Sequence, residues 1–173
     1  MNSIDLLILD GPPAVGKSSV AKAIAEKLKA SGIRHAVIEM DELARVFPST
    51  LMGVMYKNLA AIWPNYEAMG DIKIVIPTYM QAGELELVVA AAPAKRTTIC
   101  EVTTPYEESV ERILKRETND ADRQRHIDYV KGHSANRTPE EHIDFRVMNS
   151  ARPIEDTAQE VLDTLSWLTS PAK

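Results

Sequence analysis

A glycine-rich segment near the start of the chain constrains the fold more than any other feature. Residues 11–18 are Gly-Pro-Pro-Ala-Val-Gly-Lys-Ser, which fits the spacing G-x-x-x-x-G-K-[ST] of the phosphate-binding P-loop. An apolar run at 4–9 predicts a buried strand before this segment, and the periodicity of 18–30 predicts a helix after it. Strand, glycine loop and helix in this order are the context that the motif requires, and they favour an α/β fold.

The chemistry of this loop suits a polyphosphate. Its glycines let main-chain N–H groups point inward, and the N-terminus of the following helix adds partial positive charge. We expect Lys17 to reach the β- and γ-phosphates and the Ser18 hydroxyl to ligate Mg²⁺. The predicted phosphate-binding residues are Gly11, Pro12, Pro13, Ala14, Val15, Gly16, Lys17, Ser18 and Ser19. The alternative is a chance match, in which the segment only joins a core strand to an ordinary helix.

Composition narrows the class of protein. The 173 residues suit a single domain over 1–173, and 20 basic against 25 acidic side chains give a net charge of −5. We expect no nucleic-acid partner, because nucleic-acid-binding surfaces are usually basic. Asp5 interrupts the first apolar run and no stretch reaches the ~18 apolar residues of a membrane helix, so we expect no membrane association and a cytoplasmic location. Cys100, the only cysteine, lies in an apolar stretch and is expected to be buried.

Strand and helix signals alternate along the rest of the chain. Further strands are predicted at 35–40, 72–76, 97–102 and 144–148, and helices at 42–47, 49–70 with a break at Pro64, 83–92, 104–118 and 153–168. This order predicts a three-layer α/β/α sandwich with a five-stranded parallel sheet. The polar stretch at about 118–137 predicts a partly helical lid. Thr104 and Thr138 each begin a capping-box pattern.

Ligands in such sheets bind beyond the carboxyl ends of the strands. Residues that follow the predicted strands are therefore candidates for the site: Asp41, 77–81, 103–104 and 149–150. The predicted third strand continues as Pro77-Thr78-Tyr79 and has no acid at its end, where many P-loop proteins place a metal-binding aspartate. Thr78, Tyr79 and Gln81 then become candidates for a substrate pocket, with ordinary loop structure as the alternative.

Two features of the sequence argue against particular classes of P-loop protein. The chain has no Asn/Thr-Lys-x-Asp guanine signature, and it is short for an AAA+ motor with an accessory helical domain. Over nearly its whole length it resembles the small P-loop kinases of the nucleotide-kinase-like group, such as shikimate kinase, gluconate kinase, adenylylsulfate kinase and chloramphenicol phosphotransferase. The resemblance implies a P-loop NTPase fold, ATP and Mg²⁺, and transfer of a phosphoryl group to a hydroxyl, less readily a phosphate, of a small molecule. We expect a monomer or homodimer.

The segment Glu39-Met40-Asp41 at the end of the second predicted strand resembles the acid-x-acid element of shikimate kinase. Strand alternation would place both carboxylates on one side. The resemblance implies that Asp41 accepts or orients the proton of the substrate hydroxyl, and that Glu39 holds a water on Mg²⁺. The alternative is that Asp41 only caps the helix at 42–47.

Arginines form the second set of candidates. Arg112 and Arg116 are four residues apart, and Arg123 and Arg125 lie in the predicted lid. By resemblance, Arg112 and Arg116 would bind the nucleotide, and Arg116 and Arg123 would act on the transferring phosphate. The alternative is a solvated helix face paired with glutamates, which are Glu108, Glu111 and Glu117.

The loop at 149–153 is the third set, since similar kinases grip adenine there. Arg152 and Pro153 would contact the base, whereas in the alternative Pro153 only starts the last helix and Arg152 is exposed.

Region 42–70 carries apolar residues at helical spacing, namely Met52, Met55, Tyr56, Leu59, Trp63, Tyr66 and Met69. They predict a core face, part of which would line an acceptor pocket. The four histidines lack partners at ligand spacing, so we do not expect zinc. The alternative to a kinase is a regulatory P-loop protein that binds nucleotide without acceptor chemistry.

Overall fold

The computed structural model describes residues 3–46 and 53–168 and contains a five-stranded sheet in the order β2-β3-β1-β4-β5. The strands are β1 (Ile4–Asp10), β2 (His35–Val37), β3 (Ile72–Pro77), β4 (Arg96–Thr103) and β5 (Phe145–Met148). All four strand pairings are parallel. The predicted α/β fold with a five-stranded parallel sheet is confirmed.

Seven α-helices within the described residues surround this sheet. They are α1 (Lys17–Ala30), α2 (Met40–Leu43), α3 (Val54–Glu67), α4 (Glu84–Ala91), α5 (Tyr106–Arg116), α6 (Asp120–Asn136) and α7 (Ile154–Leu165), with a 3₁₀ turn at Glu140–His142. The predicted lid therefore forms a continuous helix, α6, rather than a partly helical segment.

The two faces of the sheet bury separate apolar clusters, because successive strand side chains point to opposite faces. Ile4, Leu6 and Ile8 of β1 pack with α3 and α4 on one face. Leu7 and Leu9 pack with α1 and α7 on the other. Full burial of each such side chain contributes ~1.5–3 kcal/mol to the stability of the folded state. These layers fix the carboxyl ends of β1, β3 and β4 side by side, where the site lies.

The second predicted strand is shorter than expected. It ends at Val37, and α2 begins at Met40, so Asp41 lies in the first turn of a helix and not on a strand. The predicted alternation of Glu39 and Asp41 is therefore wrong. Negative side chains in a first helical turn are favoured by the helix dipole, and this local preference ends the strand early. Residues 47–52, including Pro48 and Met52, lie outside the described residues.

The predicted break at Pro64 is also wrong. Helix α3 continues past Pro64 to Glu67, and the N–H of Ala68 donates to the Pro64 carbonyl at 3.1 Å. Trp63 holds this part of the helix against the core, since its ring is buried and its Nε1 donates to the Pro93 carbonyl at 2.9 Å. Tertiary packing thus outweighs the hydrogen bond that proline removes.

The two threonines predicted as helix caps have other roles. Pro105 and Pro139 occupy the N-cap positions, and neither makes a side-chain cap. The Thr104 hydroxyl instead donates to the Asn149 carbonyl at 3.0 Å, and that of Thr138 donates to Asp10 Oδ2 at 2.7 Å. Both capping-box predictions are wrong, because these hydroxyls tie neighbouring loops to the end of the sheet.

Candidate functional site

The P-loop connects β1 to α1 with a backbone that only glycine accommodates at two points. Gly11 has φ +144°, and a Cβ there would lie 2.5 Å from the Val102 carbonyl oxygen. Gly16 has φ +96°, and a Cβ there would lie 2.3 Å from Asn149 Nδ2. Positive φ and close approach both favour glycine, so the two motif glycines are required by the local fold.

Lys17 is the first residue of α1 and is half-buried. Its Nζ donates to the carbonyls of Gly11 at 2.7 Å and Pro12 at 2.9 Å, so the side chain folds over the loop. Burial lowers the pKa of Lys17 from 10.5 to about 8, against the opposing pull of Asp10 and Asp41. An anion bound beside this ammonium would favour its charged form.

Ser18 and Glu39 meet directly. The Ser18 hydroxyl donates to Glu39 Oε2 at 3.0 Å, which joins the start of α1 to the start of α2. Within the described residues no group of three His, Cys, Asp or Glu side chains forms a metal cluster. A hydroxyl and one carboxylate fit Mg²⁺, which usually keeps several waters and takes its remaining ligands from substrate phosphates.

The end of β5 supports the P-loop from outside. Asn149 is 4% exposed, and its Nδ2 donates to the Val15 carbonyl at 2.8 Å. Arg112 donates to the Ala14 carbonyl at 3.2 Å and the Asn149 carbonyl at 3.0 Å, and it is ion-paired with Glu108. Arg112 thus has an ion pair on its own helix and also lies beside the P-loop, and its contact with a nucleotide stays a prediction.

The other predicted arginines differ in position. Arg116 lines the cavity described below and is paired with Glu117 at 2.7 Å. Arg123 lies outside the cavity lining, and it donates to the Glu117 carbonyl and to Asp120 at 2.7 Å each. Arg125 is paired with Asp122 at 2.9 Å. The structure therefore brings Arg112 and Arg116 to the site but not Arg123 or Arg125.

Arg152 also lines the cavity. Its Nε donates to Thr157 Oγ1 at 3.0 Å and its Nη1 is paired with Glu160 at 2.6 Å, so the guanidinium is held by α7 rather than free in solvent. Pro153 is the N-cap residue of α7 and does not line the cavity.

One cavity of about 890 Å³ is lined by residues of the P-loop, α2, α5 and the segment after β3. Its lining includes the predicted residues Lys17, Ser18, Ser19, Glu39, Asp41, Thr78, Tyr79 and Gln81. Pockets for one ligand usually measure about 300–1,000 Å³, so the volume lies near the upper end of that range.

The apolar stripe of region 42–70 is divided between core and cavity. Met55 and Tyr56 line the cavity, whereas Leu59 and Trp63 are buried in the core and Met69 is 49% exposed. The stripe therefore supplies both core residues and cavity-lining residues, and its role in an acceptor pocket stays a prediction.

Asp10 was missed by the sequence analysis. It is 1% exposed, and its carboxylate accepts from the main-chain N–H of Gly11 at 2.7 Å, that of Met80 at 3.0 Å and the hydroxyl of Thr138. It thereby joins the P-loop to the segments after β3 and α6. An aspartate directly before the first motif glycine was the available signal.

A buried ion network was also missed. Glu101 of β4 is 2% exposed and accepts from His133 of α6 at 3.0 Å and from Arg137 at 3.3 Å, and it is ion-paired with Arg146. The hydrogen bond from His133, with help from the arginines, lowers the pKa of Glu101 from 4.5 to about 2. These partners are far apart in sequence, so no local pattern marks them.

Aromatic rings connect α6 to the segment after β3, next to the ion pairs of Glu101. The Tyr79 ring lies 5.7 Å from that of Tyr129 and 5.8 Å from that of His133, measured between centroids. Tyr79 follows β3, and the other two rings belong to α6. Helix α6 therefore covers the part of the cavity that Tyr79 and Tyr129 line.

Solved structures with this architecture include several kinases. A sugar kinase from a Janibacter species has a TM-score of 0.65 at 14% identity and covers 94% of this chain and 95% of its own. The Mycobacterium tuberculosis APS kinase CysC in complex with AMPPNP and APS has a TM-score of 0.63 at 21% identity, covering 95% and 98%. Shikimate kinase from Acinetobacter baumannii has a TM-score of 0.61 at 15% identity, covering 96% and 95%.

Comparison of sequences finds fewer relatives than comparison of structures. No curated protein matches this chain. The family model for the ATPase family associated with various cellular activities (AAA) matches residues 7–76, less than half of the chain, over the part that carries the P-loop. Within 3–46 and 53–168, no helix has the length and hydrophobicity to cross a bilayer. At these identities the structural likeness establishes the fold, and that fold is the one found in the small nucleotide-kinase-like P-loop kinases.

Proposed function

We propose that this protein is a Mg·ATP-dependent phosphotransferase that moves the γ-phosphoryl group to a hydroxyl of a small molecule. The observation that carries the proposal is the convergence of Lys17, the Ser18–Glu39 pair and Asp41 on one cavity. Kinases among the structural neighbours support this reaction class. Phosphoryl transfer depends mainly on positioning and charge stabilisation, which these groups can supply.

The nucleotide side of the cavity would bind the polyphosphate. Main-chain N–H groups of 14–18 and the ammonium of Lys17 would bind the phosphates, and Arg116 would neutralise charge that develops on the transferring group. Ser18 and Glu39 would hold Mg²⁺, Ser18 through its hydroxyl and Glu39 through a bound water. When bound, Mg²⁺ supplies charge neutralisation on the phosphate oxygens.

Asp41 would act on the acceptor. Its carboxylate lines the cavity and lies close enough to Lys17 for its negative charge to oppose the lowering of the Lys17 pKa by burial. Facing the acceptor hydroxyl, it would orient the nucleophile and receive its proton as the new phosphoester bond forms and the bond from the γ-phosphorus to the β–γ bridging oxygen breaks, which releases ADP. The N-cap residue of α2 is Glu39, which makes no side-chain cap bond, and Asp41 lies inside the first turn, so the capping role considered as the alternative for Asp41 is not observed.

The test compares wild type with Lys17→Ala and Asp41→Asn. A metabolite extract is incubated with each protein, Mg²⁺ and γ-labelled ATP, and labelled compounds other than ATP and phosphate are counted. We expect both variants to lose about a hundredfold in rate, which corresponds to ~3 kcal/mol of transition-state stabilisation. Only Asp41→Asn should retain MgATP binding by calorimetry. Full turnover by Asp41→Asn on an identified acceptor would remove Asp41 from the mechanism.

The alternative is a regulatory protein that binds nucleotide without transferring phosphate. It is favoured by the end of β3, where Pro77 and Thr78 occupy the position at which many P-loop proteins carry a metal-binding acid. In that case MgATP binds, and wild type labels no compound in the extract.

A further inference from the structure

We propose that Glu117 is a positioning residue for phosphoryl transfer: its carboxylate holds the Arg116 guanidinium at the cavity and links it to His126 of α6. This inference rests on the proposed function, in which Arg116 neutralises charge on the transferring phosphate. The contacts that carry it lie at the junction between α5 and α6.

Glu117 occupies the turn between two helices that both carry cavity-lining residues. Arg116 is the last residue of α5, Glu117 is its C-cap residue, and α6 begins at Asp120. Both main-chain polar groups of Glu117 are hydrogen-bonded. Its N–H donates to the Ile113 carbonyl at 2.9 Å, and its carbonyl accepts from Arg123 Nε at 2.7 Å. The backbone that carries this carboxylate is therefore anchored to both helices.

One oxygen of the carboxylate meets two side chains of the cavity. Arg116 Nε donates to Glu117 Oε1 at 2.7 Å, and Arg116 Nη2 lies 2.7 Å from the same oxygen. His126 Nδ1 lies 3.1 Å from it. Arg116 and His126 line the cavity, whereas Glu117 lies outside the lining. Glu117 would therefore act through these neighbours rather than by touching a ligand.

The carboxylate is the fixed partner of the pair with Arg116. The Glu117 side chain is 19% exposed, and that of Arg116 is 54% exposed. A half-exposed arginine samples many rotamers unless a partner holds it, so the anchored carboxylate sets its direction. The hydrogen bond from Arg116 also holds the pKa of Glu117 below its usual range, so the carboxylate is charged at neutral pH.

This pairing leaves part of the guanidinium for a phosphate. Arginine carries five N–H donors in a planar fork. Glu117 contacts Nε and Nη2, so the N–H groups of Nη1 are not engaged by this carboxylate and can donate to phosphate oxygens. A donor that is already fixed stabilises developing charge well, because nothing has to reorganise during the reaction.

His126 extends the contact to α6. Its Nδ1 is buried and has no aligned hydrogen-bond partner among the described residues, although Glu117 Oε1 is 3.1 Å away. A small rotation of the ring would complete that bond. The centroid of the same ring lies 6.5 Å from that of Tyr129, which also lines the cavity. The position of α6 is thereby connected to the direction of Arg116.

The test is a double-mutant cycle between Glu117 and Arg116. Wild type, Glu117→Gln, Arg116→Ala and the double variant are each incubated with a metabolite extract, Mg²⁺ and increasing γ-labelled ATP. We expect Glu117→Gln to lower the maximal labelling rate at least tenfold and to change the apparent KM for MgATP less than threefold. In the Arg116→Ala background the same substitution should change the rate less than twofold, because the group that it positions is already absent.

Glu111→Gln is the matched control. Glu111 is also on α5 and is paired with Lys115 at 2.6 Å, but both of these side chains are exposed. We expect its labelling rate to stay within about twofold of wild type, as for most exposed ion pairs. Thermal unfolding and MgATP calorimetry accompany every variant. Lower thermal stability together with lost MgATP affinity in Glu117→Gln would assign Glu117 a structural role and overturn the inference.

His126→Phe tests the link to α6 without altering Glu117. It keeps a ring beside Tyr129 and removes the nitrogen that faces the carboxylate. We expect the maximal rate to fall at least threefold, and to fall no further when His126→Phe is added to Glu117→Gln. An unchanged rate, or the same loss in both backgrounds, would overturn the link between His126 and Arg116.

The outcomes for the cycle separate the inference from the proposed function. An equal loss from Glu117→Gln in both Arg116 backgrounds, or no loss, overturns the inference and leaves the kinase function intact. A higher rate in Glu117→Gln also overturns it, since the carboxylate would then compete with phosphate for Arg116. No labelled product from wild type, with MgATP binding confirmed by calorimetry, overturns the kinase function and the inference with it.

Discussion

The side-chain amide of Asn149 donates a 2.8 Å hydrogen bond to the main-chain carbonyl of Val15, so the end of β5 holds the P-loop from behind. The other side of the same amide accepts from Thr157 Oγ1 at 3.2 Å, which links the loop to α7. The shape of the P-loop thus depends on a residue more than a hundred positions away along the chain.

Replacing Asn149 by alanine should impair both stability and binding. It removes one hydrogen bond from the Val15 carbonyl and one from the Thr157 hydroxyl, both in buried positions, which costs about 1–3 kcal/mol in the free energy of unfolding. We expect MgATP affinity to fall at least tenfold, measured by calorimetry beside urea unfolding. Asn58→Ala is the matched control, because Asn58 is exposed and its amide bonds the Leu43 carbonyl. Wild-type affinity in Asn149→Ala would show that the bond does not shape the loop.

Gly16→Ala should abolish nucleotide binding for two separable reasons. The new Cβ would lie 2.3 Å from Asn149 Nδ2, and φ +96° is unfavourable for any residue with a side chain. The double variant Gly16→Ala, Asn149→Ala removes the contact but keeps the backbone strain, so we expect it to be less stable than Asn149→Ala alone. Gly53→Ala is the control, with open space around it and φ −91°. Equal stability of the double variant and Asn149→Ala would exclude backbone strain as a cause.

The lowered pKa of Lys17 predicts a pH-dependent effect on binding and on stability. Because the folded pKa is about 8 and the unfolded pKa 10.5, the folded state binds fewer protons between these values, and stability rises with pH across that window. Lys17→Met should therefore be more stable than wild type below pH 8, with the difference vanishing near pH 10.5. In wild type, kcat/KM for MgATP should fall above about pH 8, since this parameter reports the free enzyme. A flat profile to pH 10 would contradict a lowered pKa.

Glu101 should make the fold sensitive to acid. Its folded pKa of about 2 lies below the ordinary 4.5, so its stabilisation is fully present above pH 4.5 and is lost as pH falls toward 2. Glu101→Gln should lower the free energy of unfolding by roughly 1.5–3 kcal/mol at pH 7, and the difference should shrink below pH 4.5. Glu140→Gln should cost less, because Glu140 is largely exposed. Equal losses for both variants at pH 7 would contradict the role assigned to burial.

Cys100 provides a probe of global opening. It is fully buried in β4, and burial raises the pKa of its thiol well above the ordinary value. Because the thiolate is the reactive form, we expect the native protein to resist a thiol reagent such as iodoacetamide and to react once per chain in urea. Labelling that follows the global unfolding transition supports this, whereas rapid labelling in native buffer would contradict it. This agrees with the prediction of a buried, unreactive cysteine.

The sequence by itself determined the P-loop, the order of strands and helices and the α/β class. These features arise from short-range causes: glycine backbone freedom at Gly11 and Gly16, and apolar periodicity in segments such as Ile4–Asp10. Sequence reasoning failed where a long-range contact outweighed a local preference. Thr104 and Thr138 matched a capping pattern, yet their hydroxyls bond Asn149 and Asp10. Pro64 favoured a break, yet packing around Trp63 maintains the helix.

Only the tertiary structure decided which polar residues meet. The contacts between Ser18 and Glu39, between Asn149 and Val15, and between Glu101 and His133 join separate elements, and their geometry depends on how the sheet and helices pack. The same packing brings Arg116 to the cavity and leaves Arg123 outside it, although both are arginines in polar helices. Composition and spacing describe local preference, whereas burial and distance exist only after the chain has folded.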